Sequence, residues 1–161
     1  MDQDAIRAGE VEVPFPDRSD ASLLFIGRIR TPFKTRADCP RQGSDDGPVC
    51  RIEIDEPWRQ ALTGLDRYER IDVIYWLHKA RRDLVLQSPK SDGQTRGTFA
   101  LRSPLRPNPI AVSHVLLVAL EPDAVLVRGL DCLDGTPLLD IKPDRCAYSP
   151  AAPLRGKAAP A

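Results

Sequence analysis

Sixteen prolines punctuate a chain of 161 residues, about twice the usual share of roughly 5%. Each one fixes φ, removes a backbone donor and breaks a helix interior or a central strand. Such a chain must be built mainly from short strands and ordered loops, and the segments between the prolines read that way. Residues 23–30 (LLFIGRIR) form a strand that ends at Thr31-Pro32, and 49–54 (VCRIEI) alternate as a second. Asp55-Glu56-Pro57 opens one or two helical turns through WRQALTGL. Residues 70–78 (RIDVIYWLH) are β-branched and aromatic, and 98–101 form a short strand. Residues 111–120 and 124–130 form a hairpin around Glu121-Pro122-Asp123, and 138–141 close the set. In the first hairpin strand, Val112, Leu116, Val118 and Leu120 share a face with His114, while Val115, Leu117 and Ala119 line the other. Both faces are apolar, so both should be covered, with His114 in the core. No βαβ period of about 30 residues occurs. The expected fold is mainly β: a six- to seven-stranded barrel or a sandwich with one short helix and proline-rich loops.

The expected organisation is an acidic, mobile leader over 1–20, a folded domain over 21–148 and a disordered tail over 149–161 (SPAAPLRGKAAPA). No apolar run approaches 18 residues, and the leader lacks the apolar centre of an export signal. A cytoplasmic protein with no membrane partner is expected. The cysteines Cys39, Cys50, Cys132 and Cys146 make no C-x-x-C pair, and only two histidines are present, so no metal is expected. Lys and Arg total 23 against 23 Asp and Glu, which excludes a bulk polybasic nucleic-acid binder. The balance is uneven along the chain. Residues 1–20 hold six acids and two bases, whereas 79–106 hold seven bases and two acids.

No dinucleotide fingerprint, phosphate-binding P-loop, zincin helix or nucleophile elbow is present. Four polar loop segments remain. Pro40-Arg41-Gln42-Gly43 sets a forked donor and an amide in a stiff turn, suited to a carboxylate or a base edge. Residues 102–110 (RSPLRPNPI) present Arg102 and Arg106 on a pre-ordered loop. Residues 130–143 gather Asp131, Asp134, Asp140 and Lys142 around an Asp-Gly turn, where carboxylates can accept from ribose hydroxyls or an ammonium. His78-Lys79 end the aromatic strand, with a group that titrates near neutrality.

In this order the segments resemble the TsaA-like (TrmO-type) family of tRNA methyltransferases. The matching stretches are Ile26-Gly27, Arg30-Thr31-Pro32-Phe33-Lys34, Pro40-Arg41-Gln42, the aromatic strand to His78, Gly97 to Ser103, Arg106-Pro107-Asn108-Pro109-Ile110 and Asp131 to Pro143. The resemblance implies a β-barrel, S-adenosyl-L-methionine as methyl donor and a homodimer with sites near its interface. It also implies a tRNA anticodon loop as partner, methylated on the exocyclic amine of threonylcarbamoyladenosine. By motif, donor contacts would come from Pro40, Arg41, Gln42, His78, Lys79, Arg102 and the run Asp131, Cys132, Leu133 and Asp134. Arg106 and Asn108, with Arg81 and Arg82 from the basic block, would serve the acceptor. Asp140 would be the base, and Lys142 would orient a carbonyl or a phosphate of the acceptor. Asp144 stands where the family often has an aromatic residue, Ala111 where Gly is usual, and only 18 residues follow Pro143. The shortened C-terminus favours a second reading, methylation of a smaller acceptor. A third, a non-catalytic dimeric donor-binding module, is opposed by the intact Asp134-Gly135-Thr136-Pro137 and Asp140-Ile141-Lys142-Pro143 strings.

Overall fold

The period-two pattern of residues 70–76 is the clearest sequence signal, and it becomes part of a barrel wall. The computed structural model describes residues 5–90 and 93–144. Among the described residues nine strands run in chain order: β1 (Val11–Glu12), β2 (Gly27–Arg30), β3 (Cys50–Ile54), β4 (Arg70–Trp76), β5 (Leu84–Gln87), β6 (Arg96–Gly97), β7 (Ile110–Glu121), β8 (Ala124–Arg128) and β9 (Thr136–Pro143). They fall into two compact units. One is the described part of Leu23–Trp76 and Val112–Ala161, the other that of Met1–Ser22 and Leu77–Ala111.

The first unit holds a closed barrel in the order β2-β3-β8-β7-β4-β9. β2 pairs antiparallel with β3 and β9, β3 with β8, β8 with β7, and β9 with β4. Closure leaves no open edge in this sheet. Alternate side chains fill the interior: Ile29, Ile52, Ile71, Val73, Val115, Leu117, Val125, Val127 and Leu138 are fully buried. β9 turns a corner. Its first residues pair with β2 (Ile29↔Thr136 to Gly27↔Leu138), and its later ones with β4 (Tyr75↔Leu138 to Ile71↔Pro143). Pro137 lies in the part recorded against β2 alone, where a missing donor is tolerated. A bulge at Ile74/Tyr75 resets the register, so Leu138 faces the core while Asp140 and Lys142 pair with the outward positions Ile74 and Asp72.

In the second unit, β1, β5 and β6 form a three-stranded sheet. The leader thus contributes a strand, with Val11 opposite Leu86. Gln87, 3% exposed, organises the proline-rich loop: its amide donates to Thr98 Oγ1 at 2.8 Å and to the Leu105 carbonyl at 2.6 Å.

Several sequence expectations are corrected. Residues 98–101 are not a strand; Thr98–Ala100 is a 3-10 turn, because the Thr98 hydroxyl is buried and donates to the Leu84 carbonyl. The short helical stretch expected after Asp55, by contrast, is present as the 3-10 segment Trp58–Leu62, followed by another over Leu65–Arg67. His114 is not a core residue. It lies on the outer face of β7, half exposed, with Nδ1 3.0 Å from Asp72 Oδ1. Val112 on that face is also exposed, so the second apolar face is not fully covered. The expected tail lies outside the described residues. No described helix is long and apolar enough to cross a membrane.

Ile52 is wholly enclosed on β3. Ile52→Ala should cost about 2–5 kcal/mol through lost burial and a residual cavity, read as a lowered urea midpoint with an unchanged m-value.

Candidate active site

At one end of the barrel two loops meet through their backbones. Gly43 follows Pro40, Arg41 and Gln42 in the first loop, and a Cβ on it would lie 1.7 Å from the carbonyl oxygen of Gly129. Only glycine permits that approach. Gly129 itself takes φ +110°, a conformation that ends β8 and releases the chain into residues 130–135. The contact sets the exposed Arg41 and Gln42 beside the run that starts at Asp131. Electrostatics agrees. Burial pushes the Cys39 thiol up, and the Asp131 carboxylate adds to the shift.

The 131–134 run is fastened from the other side by residues 29–34. Asp134 Oδ1 accepts from the Thr31 amide at 3.1 Å, and Oδ2 from Lys34 Nζ at 2.7 Å. The Asp134 amide donates to the Phe33 carbonyl and that of Gly135 to Ile29. Thr31 Oγ1 donates to the Cys132 carbonyl at 2.9 Å. The Thr-Pro-Phe-Lys and Asp-Gly-Thr-Pro strings, about a hundred residues apart in the chain, are therefore two halves of one clasp. Cys132 is 4% exposed, and burial pushes its thiol up to about 12. It is no nucleophile at neutral pH; its main chain does the work. Leu133, half buried, accepts from Thr136 Oγ1 at 2.7 Å.

Asp131 is held by residues that sequence reasoning passed over. Tyr75 Oη donates to Asp131 Oδ1 at 3.1 Å and meets Ser113 Oγ at 2.8 Å. The signal was available: Tyr75 shares the inward parity of Ile71 and Val73, and a buried tyrosine hydroxyl needs a partner. Asp140 and Lys142 are together but on the outer face of β9, 2.7 Å apart and both substantially exposed. Lys142 is pushed up by its hydrogen bond to Asp140. Asp72 and His114 stand on the same outer face.

The remaining nominated residues belong to the other unit. His78 and Lys79 are exposed in the turn closed by Ala80 N–H to the Leu77 carbonyl. Arg102 is exposed. Arg106 braces its own loop, donating to the Ser103 carbonyl at 3.0 Å and the Leu101 carbonyl at 2.5 Å. Arg82 donates to the Pro107 carbonyl at 2.5 Å and to Asn108 Oδ1 at 3.3 Å, under the ring of Phe15. Arg81 pairs with Asp83 and Glu12, each at 2.7 Å. The described residues include no cluster of three or more side chains suited to a metal ion.

Residues 28–149 match the family model of the tRNA-methyltransferase O (TrmO) N-terminal domain. The chain belongs to this family. The probable S-adenosyl-L-methionine-binding protein VirR of Rhizobium radiobacter is 54% identical over 155 residues, covering 96% of this chain and 89% of the relative. The tRNA (adenine(37)-N6)-methyltransferase of Mus musculus is 33% identical over 126 residues, covering 73% of this chain and 29% of the relative. A crystal structure of TrmO from Pseudomonas aeruginosa matches with TM-score 0.64 and 32% identity over 81% of this chain and 61% of that one. This chain thus spans about three fifths of that solved TrmO chain. In TrmO N-terminal-domain terms, the clasp and the glycine contact build one end of the family barrel, and the Asp140–Lys142 pair decorates its outside.

The clasp has a pH signature. Lys34 foremost, opposed by partial burial and helped by the Thr31 amide, holds the Asp134 carboxyl below its ordinary value. The folded state therefore binds this proton less readily than the unfolded state. Its contribution is present above the ordinary carboxylate range and is lost as pH falls through the folded value. Asp134→Asn should lower stability near neutral pH by about 1 kcal/mol, and the gap from wild type should close below about pH 4, measured by urea unfolding across pH.

Proposed function

We propose that this chain is an S-adenosyl-L-methionine-dependent methyltransferase whose acceptor is the exocyclic amine of threonylcarbamoyladenosine next to the anticodon of tRNA. The observation that carries the reading is the match of residues 28–149 to the TrmO N-terminal domain, joined to a donor set of fitting chemistry. The exposed guanidinium of Arg41 suits the donor's carboxylate, and the Gln42 amide suits a base edge. The Asp131 carboxylate, held by Tyr75, suits ribose hydroxyls or the α-ammonium. Backbone groups at Cys132 and Leu133 line the same run, and Asp134 keeps it in place. Pro40 stiffens the loop that carries Arg41. The family resemblance adds His78, Lys79 and Arg102 to the donor contacts.

When bound, the donor supplies an electrophilic methyl group on a sulfonium. The protein's task is to align the acceptor and to remove a proton, and positioning alone can supply about 7–11 kcal/mol in favourable cases. Asp140, whose carboxylate is solvent-accessible and ion-paired, is assigned the amine proton. Lys142 orients a carbonyl or a phosphate of the acceptor. Arg106, Asn108, Arg81 and Arg82 are assigned to the RNA. A loop base needs no duplex opening, so contact with a single-stranded anticodon loop suits an exposed site. The working unit in this reading is a cytoplasmic homodimer. The similarity to VirR, whose name records donor binding and not transfer, favours a donor-binding module as the second reading.

Transfer of labelled methyl to tRNA from cells with and without the threonylcarbamoyl modification separates these readings. Label should enter modified tRNA only. Asp140→Asn should cut turnover by about 10²–10⁴-fold while donor affinity stays within a factor of about two, since Asp140 holds no donor contact in this reading. Label in unmodified tRNA, or in a small-molecule fraction instead, would overturn the proposed acceptor. Tight donor binding with no transfer to any fraction would establish the module.

A further inference from the structure

Tyr75 is only 2% exposed, packed on the inward side of β4 with Ile71 and Val73. A ring this deep needs only one partner for its hydroxyl, and Ser113 on β7 already lies within 2.8 Å. Yet the hydroxyl also reaches Asp131 Oδ1 at 3.1 Å. A phenol has one proton. An ionised carboxylate only accepts, so that proton goes to Asp131, and the Ser113 hydroxyl must donate to Tyr75. The direction is therefore fixed: Ser113 O–H to Tyr75 Oη, and Tyr75 O–H to Asp131. Successive bonds of this kind polarise one another and strengthen the last. Burial, with the charge of Asp131 second, pushes the phenol up from its ordinary value, so it does not ionise at physiological pH. The relay ties two barrel strands to a half-buried carboxylate in the loop beyond β8.

We propose that Tyr75, backed by Ser113, is a positioning residue that holds the Asp131 carboxylate in the orientation that receives the hydroxyl or ammonium groups of S-adenosyl-L-methionine. This rests on the assignment of Asp131 to the donor made above. Without the phenolic O–H, Asp131 loses one of the bonds that fix its rotamer, and donor binding must supply more of the ordering. The effect falls on donor affinity and not on the chemical step.

Calorimetric titration of the full chain with S-adenosyl-L-methionine, together with labelled transfer to modified tRNA, tests the relay. Tyr75→Phe keeps the ring and its packing, and should weaken donor binding by about tenfold. The KM for the donor should rise by a similar factor, while kcat changes by less than about twofold. Ser113→Ala, which leaves the core ring untouched, should produce a smaller loss in the same direction. The decisive comparison is a double-mutant cycle: in an Asp131→Ala background, Tyr75→Phe should change affinity by less than about twofold. If Asp131→Ala binds the donor as wild type does, the assignment of Asp131 fails. If Asp131→Ala weakens binding but Tyr75→Phe does not, the positioning role fails. It fails as well if Tyr75→Phe costs the same in both backgrounds.

Discussion

The architecture of this chain depends on β9 pairing with two neighbours in succession. A six-stranded sheet of such short strands would leave two raw edges; β9 removes both by leaving β2 and joining β4 within eight residues. The hand-over needs the bulge opposite Ile74/Tyr75, and the bulge decides which way every later side chain points. Leu138 stays in the core, and Asp140 and Lys142 go outside. The turn that feeds β9 is then fixed in space, and residues 131–135 emerge next to the end of β2, where Thr31 and Lys34 take hold of Asp134.

The four acidic or basic positions of the 131–142 stretch therefore have different physical roles despite their nearness in sequence. Asp134 has both oxygens engaged by its own chain and acts as a clasp. Asp131 is aimed by Tyr75. Asp140 and Lys142 neutralise one another in water, an arrangement worth little to stability but one that leaves both groups accessible for chemistry. Gly43 and Gly129 contribute no side chain, and their contact determines where Arg41 and Gln42 stand.

Much of this was legible in the sequence. The period-two pattern of β4 and the hairpin of β7 and β8 follow from residue types alone, and so does the mainly-β class that the prolines impose. The failures have physical causes that are not local. Thr98 is drawn into a 3-10 turn by the Leu84 carbonyl and the Gln87 amide, more than ten residues away. His114 looks like a core residue in an apolar run, but its parity is set against Val115 and Leu117, and Asp72 on the next strand gives it a polar partner outside. The Tyr75 relay needs the register of β4 against β7, which no single stretch of sequence encodes. Motif order, by contrast, brought Thr31 to Lys34 and Asp131 to Asp134 into one family pattern, and the clasp supplies its physical reason.

The second unit carries the basic excess of residues 79–106, but it is not a bare positive face. Glu12 and Asp83 sit on Arg81, and Phe15 covers Arg82. Two of those partners, Glu12 and Phe15, come from the acidic leader. The unit thus supplies some of its counter-ions from its own side chains. A phosphate that reaches Arg81 must first displace a tethered carboxylate, whereas one that meets a solvated arginine displaces only water; ions condensed on the nucleic acid are released in both cases. The leader therefore adds to any polyanion encounter at Arg81 the exchange of an intramolecular pair for an intermolecular one, a cost that only a well-placed phosphate offsets.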